Sequence, residues 1–174
     1  MRSKQRSDSK ALYEIARHIR MVAFDFDGVF TNNLVLVLQD GTEGVFCNRS
    51  DGLGLKALRD KGVSLLVIST EVNPVVAARC KKLNLVFFQG CDRKEKVLEE
   101  QANKLHIPLK EVAFLGNDTN DLPCLKSVGL PACVSDAHPE VLKVCLYLTR
   151  LPGGRGAVRE FCDFLVDAKD GKLR

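Results

Sequence analysis

A chain of 174 residues is long enough to bury a substantial core and too short for two large domains. Its 45% apolar content with mixed charges is that of a soluble globular protein, and no run approaches the continuous apolar length of a membrane-spanning helix. A net charge of +4 on scattered basic residues, with only 6% aromatics, argues against nucleic acid as a partner and suits a small anionic substrate. Seven cysteines, at positions 47, 80, 91, 124, 133, 145 and 162, form neither a C-x-x-C pair nor a His/Cys cluster with zinc spacing, which points to a reducing compartment. The opening MRSKQRSDSK lacks the apolar stretch and cleavage site of a secretory signal, so the cytoplasm is expected.

In chain order, residues 1–20 read as an N-terminal helix or linker, with Leu12, Ile15, Ala16 and Ile19 at helical spacing. Residues 21–168 read as one domain and 169–174 as a tail. Short apolar runs at 21–24, 63–68, 85–88, 112–115 and 130–134, with a weaker one at 145–148, have the character of buried parallel strands. Between them, 52–62, 73–83, 93–105 and 120–129 can each turn an apolar helical face to a sheet. This alternation predicts an α/β fold with a doubly wound, mostly parallel sheet. One interruption, LVLVLQDGTEGVFCN at 34–48, holds two extended stretches around Asp40-Gly41 and predicts a β-hairpin inserted after the first strand, where ligands of open α/β sheets bind.

The segment Asp25-Phe26-Asp27-Gly28-Val29-Phe30-Thr31 directly follows the first strand. Two acids spaced by two on extended chain project to one side, and burying them is costly unless a hard cation such as Mg²⁺ neutralises them. Gly28 permits a sharp exit that turns backbone amides toward an anion. A second oxygen-rich loop, Gly116-Asn117-Asp118-Thr119-Asn120-Asp121, follows the strand VAFL, so both clusters lie at carboxyl ends of strands and can share one metal. Taken singly, this loop is equally an ordinary helix cap. Between the clusters, Ser69-Thr70 ends a strand and Lys94 opens a helix; hydroxyl and ammonium can both bind phosphoryl oxygens.

In this order, Asp25/Asp27, Ser69, Lys94 and then Asn117 to Asp121, the chain resembles the haloacid dehalogenase superfamily over residues 21–165. The resemblance implies that Asp25 is a nucleophile forming an aspartyl phosphate, and that Asp27 protonates the leaving oxygen and then activates water. It implies Mg²⁺ held by the Asp25 carboxylate, the Asp27 carbonyl and Asn117. Many relatives carry Asp at that last position, so Asn117 is expected to weaken the metal and shift dependence onto Asp118 or Asp121 behind it.

The short interval between Asp27 and Ser69 leaves no room for a cap domain. With the ending GGRGAVREFCDFL it looks like the capless branch acting on phosphorylated nonulosonic and octulosonic acids, whose members form homotetramers with central hairpins. Within that branch, Ser69-Thr70-Glu71 followed by Arg79 and Lys82 resembles the nonulosonate 9-phosphate phosphatases, with sialic-type acids as substrates, more than the octulosonate 8-phosphate ones. Glu71 is then expected to accept from sugar hydroxyls, Lys82 to orient Glu71, and Arg79 and Arg155 to bind the sugar acid. A rival reading is a non-catalytic oligomerisation domain like that appended to acylneuraminate cytidylyltransferases. The retained acids, serine and lysine favour an active phosphatase. His106 and His138 read as capping residues.

Overall fold

The computed structural model describes residues 2–172, with side chains described from Lys10 onward. Helix α1 (Arg2–Arg17) leads into strand β1 (Met21–Phe24). A hairpin of β2 (Thr31–Val37) and β3 (Glu43–Cys47) follows, then α2 (Asp51–Asp60), β4 (Ser64–Ile68), α3 (Pro74–Lys82), β5 (Val86–Phe88) and α4 (Lys94–Lys104). The second half runs β6 (Val112–Gly116), α5 (Leu122–Ser127), β7 (Leu130–Cys133), α6 (Pro139–Leu142), β8 (Tyr147–Leu148) and α7 (Ala157–Lys169).

Six strands form one parallel sheet in the order β5-β4-β1-β6-β7-β8, and the hairpin is a separate antiparallel pair. All the apolar runs read as strands are therefore strands, on a doubly wound scaffold with a hairpin insertion and no cap. The weak run at 145–148 shortens to Tyr147–Leu148, with Leu146 N–H donating to the Pro131 carbonyl of β7 just before it. β1 is buried along its whole length because helices cover both of its faces: α2 packs on α7 on one side and α4 on α5 on the other.

The segment 120–129, read as one helix, divides into a 3₁₀ turn at Thr119–Asp121 and α5. Pro123 lacks an amide hydrogen, which suits it to a first helical turn and forces the helix to restart there. At the amino terminus, α1 docks on α7: Tyr13 meets Phe164 edge-on at 5.2 Å, and Ala16 and Ile19 are fully buried. After β5, on one side of β1, the chain crosses to β6 on the other, so the sheet's switch point lies between β1 and β6. The crevice outside the carboxyl ends of such strands is where ligands of open α/β sheets bind.

Candidate active site

Asp25 is the first residue beyond β1, its N–H still paired with the Leu115 carbonyl. The chain then curls tightly, with Val29 and Phe30 N–H both donating to the Phe26 carbonyl. Gly28 has φ +77°, and a Cβ there would lie 2.0 Å from Asn117 Nδ2, so only glycine fits. Asp25 Oδ1 accepts from Phe26 N–H at 2.7 Å and lies 2.7 Å from Lys94 Nζ. Lys94, itself fully buried, donates at 2.8 Å to Asp121 Oδ1, and Asp121 Oδ2 accepts from Asn117 N–H at 2.9 Å and Asp118 N–H at 3.3 Å.

Burial, reinforced by the Asp121 charge and opposed by Lys94, pushes Asp25 up to about 7. Burial pulls Lys94 down, yet Asp25 and Asp121 together hold its ammonium above the ordinary lysine value. One cation thus serves two carboxylates, and the excess negative charge faces the cleft.

That excess is directed at a set of oxygens. The end of the Asn117 amide facing the cleft lies 3.1 Å from Asp25 Oδ2 and 3.0 Å from the Asp27 carbonyl oxygen. With its NH₂ there, it donates to both; with its carbonyl there, three oxygens converge. Separations of about 3 Å match the edge of an octahedron whose ligands sit roughly 2.0–2.1 Å from its centre, the geometry Mg²⁺ demands. Among the described residues no cluster of three His, Cys, Asp or Glu side chains could hold a metal, so this all-oxygen set of carboxylate, carbonyl and amide is the one that fits a hard cation. Asp121 does not stand free to replace Asn117 as ligand, because both its oxygens are engaged by Lys94 and backbone amides. Asp118, exposed at the rim, caps the 3₁₀ turn through Thr119 N–H at 2.6 Å.

Burial raises Asp27, the Thr31 hydroxyl lowers it, and the Glu71 charge raises it further. Thr31 Oγ1 lies 3.3 Å from Asp27 Oδ1 and is itself completely buried. Ser69, also buried, accepts Glu71 N–H at 3.1 Å, which leaves its hydroxyl proton free for an anion. Asp25, Asp27, Thr70 and Asn117 line one cavity of about 290 Å³. Asn33 lines it too, a residue that sequence reasoning passed over. Asn33 has φ +62° at an irregularity in the hairpin between Thr31 and Val35, a left-handed conformation that Asn tolerates better than most residues. The irregularity has no sequence signature beyond Asn32-Asn33 itself.

The expected sugar-acid residues fare differently. Glu71 turns back on its own loop, Oε1 accepting Val72 N–H at 2.7 Å and Asn73 N–H at 2.9 Å. No ion pair joins it to Lys82 among the described residues, so the orienting role expected of Lys82 is not seen; a residue already satisfied by adjacent amides needs no such partner. Arg79 donates to the Asn48 carbonyl at 2.8 Å, tying α3 to the end of the hairpin. Arg79 and Lys82 line a different cavity, of about 650 Å³, between β3 and α3, and Arg155 lines a third beside Tyr147. Within one chain none of these three cations lines the Asp25 cavity. The glycines beside Arg155 pack against the turn that follows Asp27: Gly154 N–H donates to the Val29 carbonyl at 3.0 Å, and a Cβ on Gly153 would stand 1.9 Å from the Gly28 carbonyl oxygen. His138 caps α6 through Nδ1, as its position before Pro139 suggests.

This geometry has close counterparts. Residues 74–158 match the family model described as haloacid dehalogenase-like hydrolase. The 3-deoxy-D-manno-octulosonate 8-phosphate phosphatase KdsC of Escherichia coli strain K12 is 36% identical over 159 residues, 91% of this chain and 84% of that one. Among solved structures, the 3-deoxy-D-manno-octulosonate 8-phosphate phosphatase of Moraxella catarrhalis, in complex with magnesium, phosphate and KDO, superposes with a TM-score of 0.89 at 32% identity, covering 93% of this chain and 94% of that one. The cobalt-bound deoxy-D-mannose-octulosonate 8-phosphate phosphatase YrbI of Haemophilus influenzae gives 0.86 at 28% identity, covering 91% and 93%. With motifs, capless architecture and similarity over nine-tenths of the chain in agreement, the chain belongs to the haloacid dehalogenase-like hydrolases, as a phosphatase of the KdsC/YrbI family.

Proposed function

We propose that this phosphatase hydrolyses the phosphate monoester of a sugar acid, 3-deoxy-D-manno-octulosonate 8-phosphate, with Mg²⁺ as its cation. The observation that carries the chemistry is the buried Lys94 bridging Asp25 and Asp121, with the Asp25 carboxylate and Asp27 carbonyl both met by the Asn117 amide. Bound by the Asp25 carboxylate, the Asp27 carbonyl and Asn117, Mg²⁺ would offset the like charges of carboxylate and phosphate. Asp25 Oδ1, fixed by Phe26 N–H and Lys94, attacks phosphorus while Ser69, Thr70 and Lys94 hold the phosphoryl oxygens. The ester P–O bond breaks and Asp27 gives its proton to the departing alkoxide. Water then attacks the aspartyl phosphate at phosphorus, Asp27 takes the water proton, and Asp25 is released as carboxylate with inorganic phosphate.

The octulosonate assignment replaces the nonulosonate preference drawn from Ser69-Thr70-Glu71. The named relatives reported above are octulosonate phosphatases, and Glu71 spends its carboxylate on its own loop. A nonulosonate 9-phosphate stays as the second reading for one reason: Glu71 directly follows Thr70, which lines the Asp25 cavity, and its charge raises the Asp27 carboxyl. The non-catalytic domain reading is disfavoured by the intact Asp25, Lys94 and Asp121 network.

Assembly into a homotetramer is supported by the hairpin, where Leu34, Leu36, Val37 and Phe46 are all more than half exposed. Arg79, Lys82 and Arg155 are then candidates to reach a neighbouring subunit's cleft. No helix of the described residues is long and apolar enough to cross a membrane, and all seven cysteines are free thiols, which suits the cytoplasm.

The test is phosphate release from octulosonate 8-phosphate and nonulosonate 9-phosphate, side by side, with and without chelator. Turnover of the octulosonate ester is expected to require the divalent cation and to fall by roughly a thousandfold or more in Asp25→Asn. Activity that survives chelation, or that survives the variant, overturns the mechanism; preference for the nonulosonate ester restores the second reading.

A further inference from the structure

Thr31 ends the tight turn that begins at Asp27, and its hydroxyl is surrounded. It accepts Gly28 N–H at 3.1 Å and Asn33 N–H at 3.2 Å, and Asp27 Oδ1 lies 3.3 Å away. A threonine hydroxyl has two acceptor positions and one proton. Both acceptor positions are occupied by backbone amides that have nowhere to turn, so the proton has one remaining partner, Asp27 Oδ1.

From this geometry we infer that Thr31 is a positioning residue for the acid: by always donating to Oδ1, it requires Oδ1 to act as acceptor and so places the transferable proton of Asp27 on Oδ2. This rests on the reading of Asp27 as the group that protonates the leaving oxygen. A carboxylic acid free to rotate can offer its proton from either oxygen and in several orientations. One fixed by a buried donor offers it from a single oxygen, which is the orientational saving that proton transfer needs. The turn that holds Thr31 is closed from outside by glycines: a Cβ on Gly153 would stand 3.0 Å from the Thr31 carbonyl oxygen, and one on Gly154 2.4 Å from Asn32 N. Because one of the two amides belongs to Asn33, the first turn of the hairpin is tied to the acid through the same hydroxyl.

The discriminating measurement is the dependence of kcat/KM on the leaving group, since kcat/KM reports only steps up to the first irreversible one, phosphoryl transfer to Asp25. For a series of aryl phosphates from 2,4-dinitrophenyl to unsubstituted phenyl, the first leaving group departs without a proton and the last benefits from one. Thr31→Val is expected to lower kcat/KM for phenyl phosphate about tenfold more than for the dinitrophenyl ester, a fraction of what a well-placed acid contributes. Thr31→Ser, which keeps the hydroxyl, restores the wild-type pattern. In an Asp27→Asn background, Thr31→Val adds no further selectivity for leaving group. Should the valine variant not fold, as judged by circular dichroism, Thr31→Ala removes the same hydroxyl and carries the same expectation. Equal losses across the series, or selectivity that persists on top of Asp27→Asn, overturn the positioning role while leaving the phosphatase intact. A wild-type chain that hydrolyses no aryl ester overturns the functional reading and this inference with it.

Discussion

Lys94 sits in the interior because two carboxylates surround it, and the arrangement makes sense only as chemistry. A buried ion pair contributes little net stability once desolvation is counted. Here two anions share one cation, leaving negative charge uncompensated at the place where a metal and a phosphate would meet. Asn117 is the adjustable member of that set, since its amide supplies an oxygen without a charge. Asn117→Asp should therefore lower the Mg²⁺ concentration giving half-maximal activity, read from a metal titration of initial rates; an unchanged or raised value would show that this position is not a ligand. Asp51 carries a different burden. Its Oδ1 accepts Arg159 N–H at 3.2 Å, fastening α2 to α7, while its Oδ2 is buried without a hydrogen-bond partner. Burial lifts its pKa to about 6, from the ordinary carboxylate value of 3.8. The folded state therefore holds more protons than the unfolded state between those values, and stability falls as pH rises through that window. Asp51→Asn should flatten this slope, removing a difference on the order of 2–3 kcal/mol between pH 4 and 7, measurable by denaturant unfolding at both. Parallel pH slopes for variant and wild type would exclude Asp51 as the source.

At the scale of elements, the turn carrying Asp27 is not self-supporting. It is clamped by the Pro152-Gly153-Gly154 segment, whose backbone hydrogen-bonds Asp136 and Val29 and lies too close to Gly28 for any side chain. Gly153→Ala should cost about 2–4 kcal/mol and cut activity together, because the added methyl must push either the clamp or the catalytic turn aside. Wild-type melting and turnover in that variant would mean the contact is dispensable. In the GGRG motif Arg155 is the candidate substrate contact, while the glycines before it pack against the turn that carries Asp27. Helix α7, whose buried face runs through Val158, Phe161, Cys162 and Leu165, shows apolar spacing as regular as that of the other helices. Gly156, at φ +100°, ends the loop and lets α7 begin at Ala157.

For the molecule as a whole, the sheet buries its two faces under helices, whereas the hairpin stands away with apolar residues facing out on both of its sides. β2 alone exposes five successive residues from Asn33 to Val37, a pattern inconsistent with an ordinary solvated edge and suited to burial against copies of itself. Light scattering should report a tetramer, and Leu36→Glu should reduce the mass toward the monomer; a wild-type monomer would remove any cross-subunit role for Arg79, Lys82 or Arg155.

The strands, most of the helices and the acids proposed as catalytic were legible in the amino-acid sequence because each rests on local rules. An apolar run of four or five residues buries itself, and acids immediately beyond it must then lie at the end of a strand. Asp25, Asp27, Lys94 and Asn117 each follow a strand directly or through a short loop, so their order along the chain anticipated the contacts that join them. Tertiary structure alone decided the rest. That Asp121 is fully committed to Lys94 and to two amides, that Glu71 bends onto its own loop, that Arg79 braces Asn48, and that the Thr31 hydroxyl meets Asp27 all depend on hydrogen-bond partners chosen by packing. A side chain several bonds long can reach in many directions from one backbone position, and only the surrounding fold selects which direction it takes.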